Sequence, residues 1–215
     1  MQSRLAKYGS SDEERLAEAL SAYPPDEAVS WRPGPSGKKV AYYSGTTSTR
    51  MANEVFGPLG WTSEVISSTT NCEAKAGRVF AQSGAKVRVT CLTPNKHGGF
   101  AFHEDIGNAT SEMKAYGEEA VSTAKIKMQD LAQKKAVTDA RKKALRQFGL
   151  FLGLCLGDAD FVQGIQQRRT RSAVFKRDVP TVSARSPVGS EMPGVSPGVE
   201  DEDIELLVAD DSEDF

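Results

Sequence analysis

The stretch from Gln129 to Gly157 reads QDLAQKKAVTDARKKALRQFGLFLGLCLG, and its two halves differ in character. The first half is built from Ala, Lys, Gln, Arg and Leu, with no proline and no glycine before Gly149, which predicts a helix. Val137, Ala140, Ala144 and Phe148 recur at helical spacing and form one apolar stripe to bury. Lys125, Lys127, Lys134, Lys135, Arg141, Lys142, Lys143 and Arg146 face only Asp130 and Asp139 over residues 125–148, a local charge of +6. Lys135, Lys142, Lys143 and Arg146 fall largely off the stripe. A helix docked by that stripe would present them to a phosphate backbone. On charge alone, a merely solvated lysine-rich face is an equal reading. The second half, Leu150–Leu156, is a short apolar run whose glycines (Gly149, Gly153, Gly157) suggest close packing, in a core or between protomers.

Working outward, the overall charge of −2 conceals a segregation. Nine acids and no base lie between Glu200 and Phe215, so residues 1–199 carry +7. A basic body with an acidic tail is the pattern of a polyanion binder with an interaction segment. Cys72, Cys91 and Cys155 are odd in number and widely spaced, which argues against a disulfide framework or zinc site and for a reducing compartment. No apolar signal region opens the chain, and Leu150–Leu156 is far below the ~20 residues that span a bilayer. The expectation is an intracellular soluble protein with no membrane partner.

Upstream, Ser11 and Glu14 form a capping box that opens a short helix through Leu20, stopped by Pro24-Pro25. Trp31–Gly37 (WRPGPSG) reads as a loop. Lys39–Ser44 reads as a strand, and Thr46–Phe56 as a helix capped by Thr46 or Thr47. Three strand candidates follow, Trp61–Asn71, Arg78–Thr93 and Phe100–Ile106, rich in Val, Thr and aromatics. Ser111–Phe148 reads as helical, with a break near Gly117, and Asp158 caps a further helix over Ala159–Gln167. The class is α+β: an antiparallel β-meander packed on a long basic helix. The organisation is a flexible N-terminus over 1–9, a folded domain over 10–167, a basic then Pro/Ser/Gly-rich disordered linker over 168–198, and an acidic tail over 199–215.

Enzyme chemistry finds little support. No GxxxxGK[ST] loop occurs, so ATP-driven chemistry has no seat here. In His103-Glu104-Asp105 only His103 and Asp105 share a strand face, and no second histidine lies at ligand spacing. A surface or turn-capping role is the simpler reading of that triplet. The expectation is no catalytic residue, no metal and no cofactor.

Four stretches carry a resemblance: KKVAYYSG (Lys38–Gly45), MANEVFGPLGW (Met51–Trp61), FHEDIG (Phe102–Gly107) and KKAVTDARKKALRQFG (Lys134–Gly149). As an ordered set over about residues 10–167, they resemble the N-terminal domain of the Rad fifty-two family of single-strand annealing and recombination mediator proteins. Residues Tyr116–Ile126 look longer than the family pattern. The resemblance implies protomers assembled into a ring, with a basic groove that holds single-stranded DNA backbone-inward and bases exposed. It places Lys142, Lys143 and Arg146 at the groove's phosphate contacts; Arg141 and Lys135 of the same basic stretch are further candidate DNA-binding residues. Where the family commonly has an arginine before the ANE helix this chain has Thr47, and Arg50 one turn later is the candidate substitute. The family's outer DNA site falls on Ala159 and Gln163 here, so a second site would need Lys96 or Arg168, Arg169 and Arg171.

The expected function is ATP-independent binding of single-stranded DNA and annealing of complementary strands, in homologous recombination and double-strand break repair. Such a protein acts in the nucleus, an organelle being the other option. The alternatives are a recombination adaptor whose segment Glu200–Phe215 recruits a recombinase or single-strand-binding protein, and an RNA-annealing chaperone.

Overall fold

The computed structural model describes residues 10–34, 37–95 and 97–177. Within them, 10–163 belong to one compact unit and 164–177 to a second. The described chain is α+β, with four α-helices and two antiparallel sheets.

Helix α1 (Ser10–Ser21) comes first, and the Ser11 side chain of the expected capping box lies outside the described residues. Strands β1 (Ser30–Pro33) and β2 (Lys39–Tyr42) pair antiparallel, with Ser30 opposite Tyr42 and Pro33 opposite Lys39. The expected WRPGPSG loop is therefore partly strand. Pro33 sits at the strand end, where its missing N–H costs no ladder bond. Helix α2 (Gly45–Phe56) is capped by Ser44, whose Oγ accepts from the Thr47 amide at 3.0 Å. The cap thus lies two to three residues before the expected Thr46 or Thr47.

The main sheet has the order β3 (Trp61–Lys75), β4 (Arg78–Pro94), β5 (Phe100–Lys114), all antiparallel. Its meander topology follows the sequence reading. Ala76 and Gly77 make the first hairpin in two residues, at φ 52° and 73°. Both adopt the left-handed conformation that matches the twist of the strands. On central β4, seven alternate residues from Val79 to Cys91 are at most 2 % exposed, the period-2 signature of one buried face.

That face is covered by α3 (Glu118–Arg146). The helix buries Ala124, Met128, Ala132, Ala136, Ala140 and Ala144, one residue in four. Such a stripe drifts ~40° per step around the helix, so the long strands must coil to stay in contact with it. The small side chains also let the backbones approach. A β-carbon placed on Gly107 of β5 would lie 2.2 Å from the Ala136 carbonyl oxygen and 2.3 Å from the Ala140 nitrogen. The buried stripe therefore runs through Ala136 rather than Val137, which is half-buried at its edge, as is Phe148.

Several boundaries move. β5 runs to Lys114, eight residues past the expected end at Ile106, because Thr110, Ser111 and Glu112 pair with Gln82, Ala81 and Phe80. Helix α3 consequently starts at Glu118, after Gly117 at φ 85°, not at Ser111. After α3, the apolar run forms two 3₁₀ turns, Leu150–Leu152 and Leu154–Gly157, with Leu152 and Cys155 buried and Leu154 half-exposed. Gly149 packs on the Leu20 carbonyl and Gly153 on the Tyr43 ring, whereas Gly157 has open space where close packing was expected. Helix α4 (Ala159–Arg177) begins at Asp158, whose Oδ1 accepts from the Asp160 amide, and outruns its expected end at Gln167.

The recurring motifs converge in space. Asn53 Oδ1 accepts from Trp61 Nε1 at 2.8 Å, joining ANE to GW. Phe148 meets Phe56 edge-on at 5.3 Å between centroids and His103 at 4.5 Å. Asp105 accepts from Gln147 Nε2 at 2.7 Å. His103 and Asp105 share one strand face, as read, but they dock the end of α3 rather than cap a turn.

Candidate nucleic-acid interface

Residues 135, 139, 142, 143 and 146 lie along one side of α3, at helical spacings of three and four. Opposite them stand Arg32 of β1, Val40–Tyr43, and the 3₁₀ turns around Leu152 and Leu156. The result is a cleft of about 330 Å³ in which Arg32, Lys135, Lys142, Lys143 and Arg146 face a single carboxylate, Asp139.

The cations are not equivalent. Lys143 Nζ lies 2.8 Å from Asp139 Oδ2 and donates to the Ile106 carbonyl at 3.3 Å. Lys142 and Arg146 make no side-chain hydrogen bond or ion pair among the described residues. Like charges four apart on a helix cost about 0.2–0.5 kcal/mol, so the pair is uncompensated within the described fold. An anion in the cleft would relieve that repulsion.

The walls are neutral. Burial pushes the Tyr43 phenol well above its usual range, and its OH donates to the Phe151 carbonyl at 3.2 Å. Behind the wall, burial likewise raises the Cys155 thiol to about 11, and its Sγ donates to the Leu150 carbonyl at 3.2 Å. Uncharged walls screen less than water does, which extends the reach of the cations. Arg32 lies over the Tyr42 ring, its Cζ 5.6 Å from the centroid.

The six residues expected to bind DNA therefore divide. Lys135, Lys142, Lys143 and Arg146 share the cleft. Arg50 and Arg141 line a different depression, with Gly45, Thr46, Thr49 and Asn53. The two linings have no residue in common. Thr47 lies in neither, and its hydroxyl is 2.9 Å from Ser44 Oγ at the helix cap. Of the expected second site, Lys96 lies outside the described residues, and Arg168 and Arg169 are on α4 in the second unit. Arg171 is on the same helix, its side chain outside the described residues. The sequence reading missed Arg32 and Tyr42. Only the pairing of β1 with β2 brings them together, and nothing in WRPGPSG signals a strand.

The family model for Rad52/22 family double-strand break repair proteins matches residues 12–175 of this chain. The DNA repair and recombination protein radC of Emericella nidulans is 33 % identical over 208 residues, covering 94 % of this chain and 33 % of that one. RAD52 of Eremothecium gossypii is 39 % identical over 142 residues, covering 66 % of this chain and 29 % of its own length. RAD52 of Saccharomyces cerevisiae is 35 % identical over 142 residues, covering 66 % and 27 %. The chain thus spans about a third of the length of the curated relatives it matches. These relatives carry the names of DNA repair and recombination proteins. The matched residues hold every motif that converges around α3, and by that match the chain belongs to the Rad52/22 family.

Proposed function

We propose that this protein binds single-stranded DNA without ATP and anneals complementary strands in recombinational repair. The observation that carries the reading is the unpartnered pair Lys142 and Arg146 in a cleft of five cations and one carboxylate. Phosphates are what such a cleft recognises, and phosphate contacts are indifferent to sequence. A protein that grips the backbone leaves base edges free to test pairing. Ring assembly, inferred from the family resemblance, would string identical clefts along one strand and hold it extended. The work would be done in the nucleus. In the alternative adaptor reading, the segment Glu200–Phe215 would recruit a recombinase or single-strand-binding protein.

The test is annealing of two complementary labelled oligonucleotides without ATP, by wild type and by Lys142→Ala/Lys143→Ala/Arg146→Ala. Fast annealing by wild type and its loss in a folded variant are expected. Binding without annealing would favour the adaptor reading. Faster annealing of RNA than of DNA would favour the chaperone.

A further inference from the structure

The depression between α2 and α3 is lined by Gly45, Thr46, Thr49, Arg50, Asn53 and Arg141, with no carboxylate among them. Arg141 has no partner among the described residues. Arg50 pairs with Glu54 at 3.9 Å, both side chains being more than half exposed, and its charge also acts on the Tyr43 hydroxyl. Exposed pairs at that distance contribute little. Asn53 is oriented by its neighbour. The indole N–H of Trp61 can only donate, so Asn53 must offer its oxygen there, and its NH₂ keeps both protons for another acceptor. The Thr46 hydroxyl is likewise without a partner among the described residues. Thr49 donates its hydroxyl to the Gly45 carbonyl at 3.1 Å.

Two guanidinium groups, an amide NH₂ and a hydroxyl thus converge on about 470 Å³ of open space. A site that offers donors and no competing carboxylate is suited to an oxyanion. Planar guanidinium groups match phosphate in particular, binding it through two parallel N–H bonds. Arg141 and Lys142 are consecutive on α3, so their Cα atoms are ~3.8 Å apart while their side chains diverge by ~100°. The depression and the cleft are therefore adjacent along α3, with no lining residue in common.

We propose that Arg50 and Arg141 together hold one backbone phosphate of the same single strand that occupies the cleft, where the strand leaves it and turns over α2. This rests on the cleft reading above. The strand would then be anchored at two separately oriented points on each protomer, which bends it and spreads its bases at the turn.

The test is the salt dependence of binding to a labelled oligo-dT, read by fluorescence anisotropy. The proteins are wild type, Arg50→Gln/Arg141→Gln and Arg50→Lys/Arg141→Lys. Removing one neutralised phosphate lowers the slope of log affinity against log salt by about 0.7 for a single strand. The glutamine variant is expected to lose that much slope, and the lysine variant to keep it. Both are expected to melt with wild type, since the side chains are at the surface. An unchanged slope in the glutamine variant, beside a steep one for wild type, overturns the proposal and leaves the cleft standing. A flat wild-type response removes the cleft reading itself, and the depression's role with it.

Discussion

The Ala136 carbonyl oxygen occupies the space a side chain on Gly107 would need, 2.2 Å from an ideal β-carbon there. Strand β5 and helix α3 touch backbone to backbone at this point. The Ala140 nitrogen, at 2.3 Å, closes the other side. Gly107→Ala would have to move the helix or the strand. Overpacking of this kind costs about 1–3 kcal/mol, and two rigid backbone clashes put it at the upper end. The expected fall in Tm is roughly 6–12 °C. A loss below about 1 kcal/mol in chemical denaturation would mean that α3 and β5 slide apart freely, against the packing described.

Removal of the Ser111 hydroxyl should have the opposite sign. Ser111 is 8 % exposed and faces α3, and its Oγ has no hydrogen-bond partner among the described residues. An unsatisfied buried polar group costs about 1–3 kcal/mol. Alanine already fills the equivalent places at Ala81 and Ala109. Ser111→Ala is expected to stabilise by about 1 kcal/mol in a urea titration. Destabilisation would show that a water satisfies the hydroxyl.

Glu104 makes stability depend on acid pH. On the sheet face away from α3, its carboxylate lies 2.5 Å from Lys86 Nζ and accepts from Arg88 Nε at 2.7 Å. The hydrogen bond from Lys86, then that from Arg88, holds its pKa below the ordinary 4.5. A depressed folded-state pKa contributes stability that is fully present above 4.5 and is lost as pH falls through the folded value. Wild-type Tm should therefore drop on acidification below 4.5 more steeply than that of Glu104→Gln. Parallel curves would remove Glu104 from the acid response.

Within the cleft, single substitutions should rank by prior engagement. Lys143 is already held by Asp139 and the Ile106 carbonyl, while Lys142 and Arg146 are not held. Lys142→Ala and Arg146→Ala are each expected to weaken single-strand binding several-fold more than Lys143→Ala at moderate salt. Equal losses would mean that Lys143 releases Asp139 to reach the phosphate.

Much of this molecule was legible in one dimension. The strand composition of β4, the helical composition of α3 and the cations along it are local properties legible in the sequence. The displaced end of β5 and start of α3 share one cause. Thr110, Ser111 and Glu112 have no strong preference of their own, and pairing with β4 made them strand. Likewise, the β1–β2 hairpin depends on Ser30 meeting Tyr42 across a turn, so the contribution of Arg32 to the cleft was invisible until the chain closed.

The sequence by itself determined an α+β chain with a long helix and an antiparallel meander, because composition and periodicity act residue by residue. Only the tertiary structure decided which cations share a site. Arg141 and Lys142 are neighbours in the chain, yet the turn of the helix sends one toward Arg50 and the other toward Arg146. Side-chain direction around a helix, and the element each side meets, are set by packing rather than by order along the backbone.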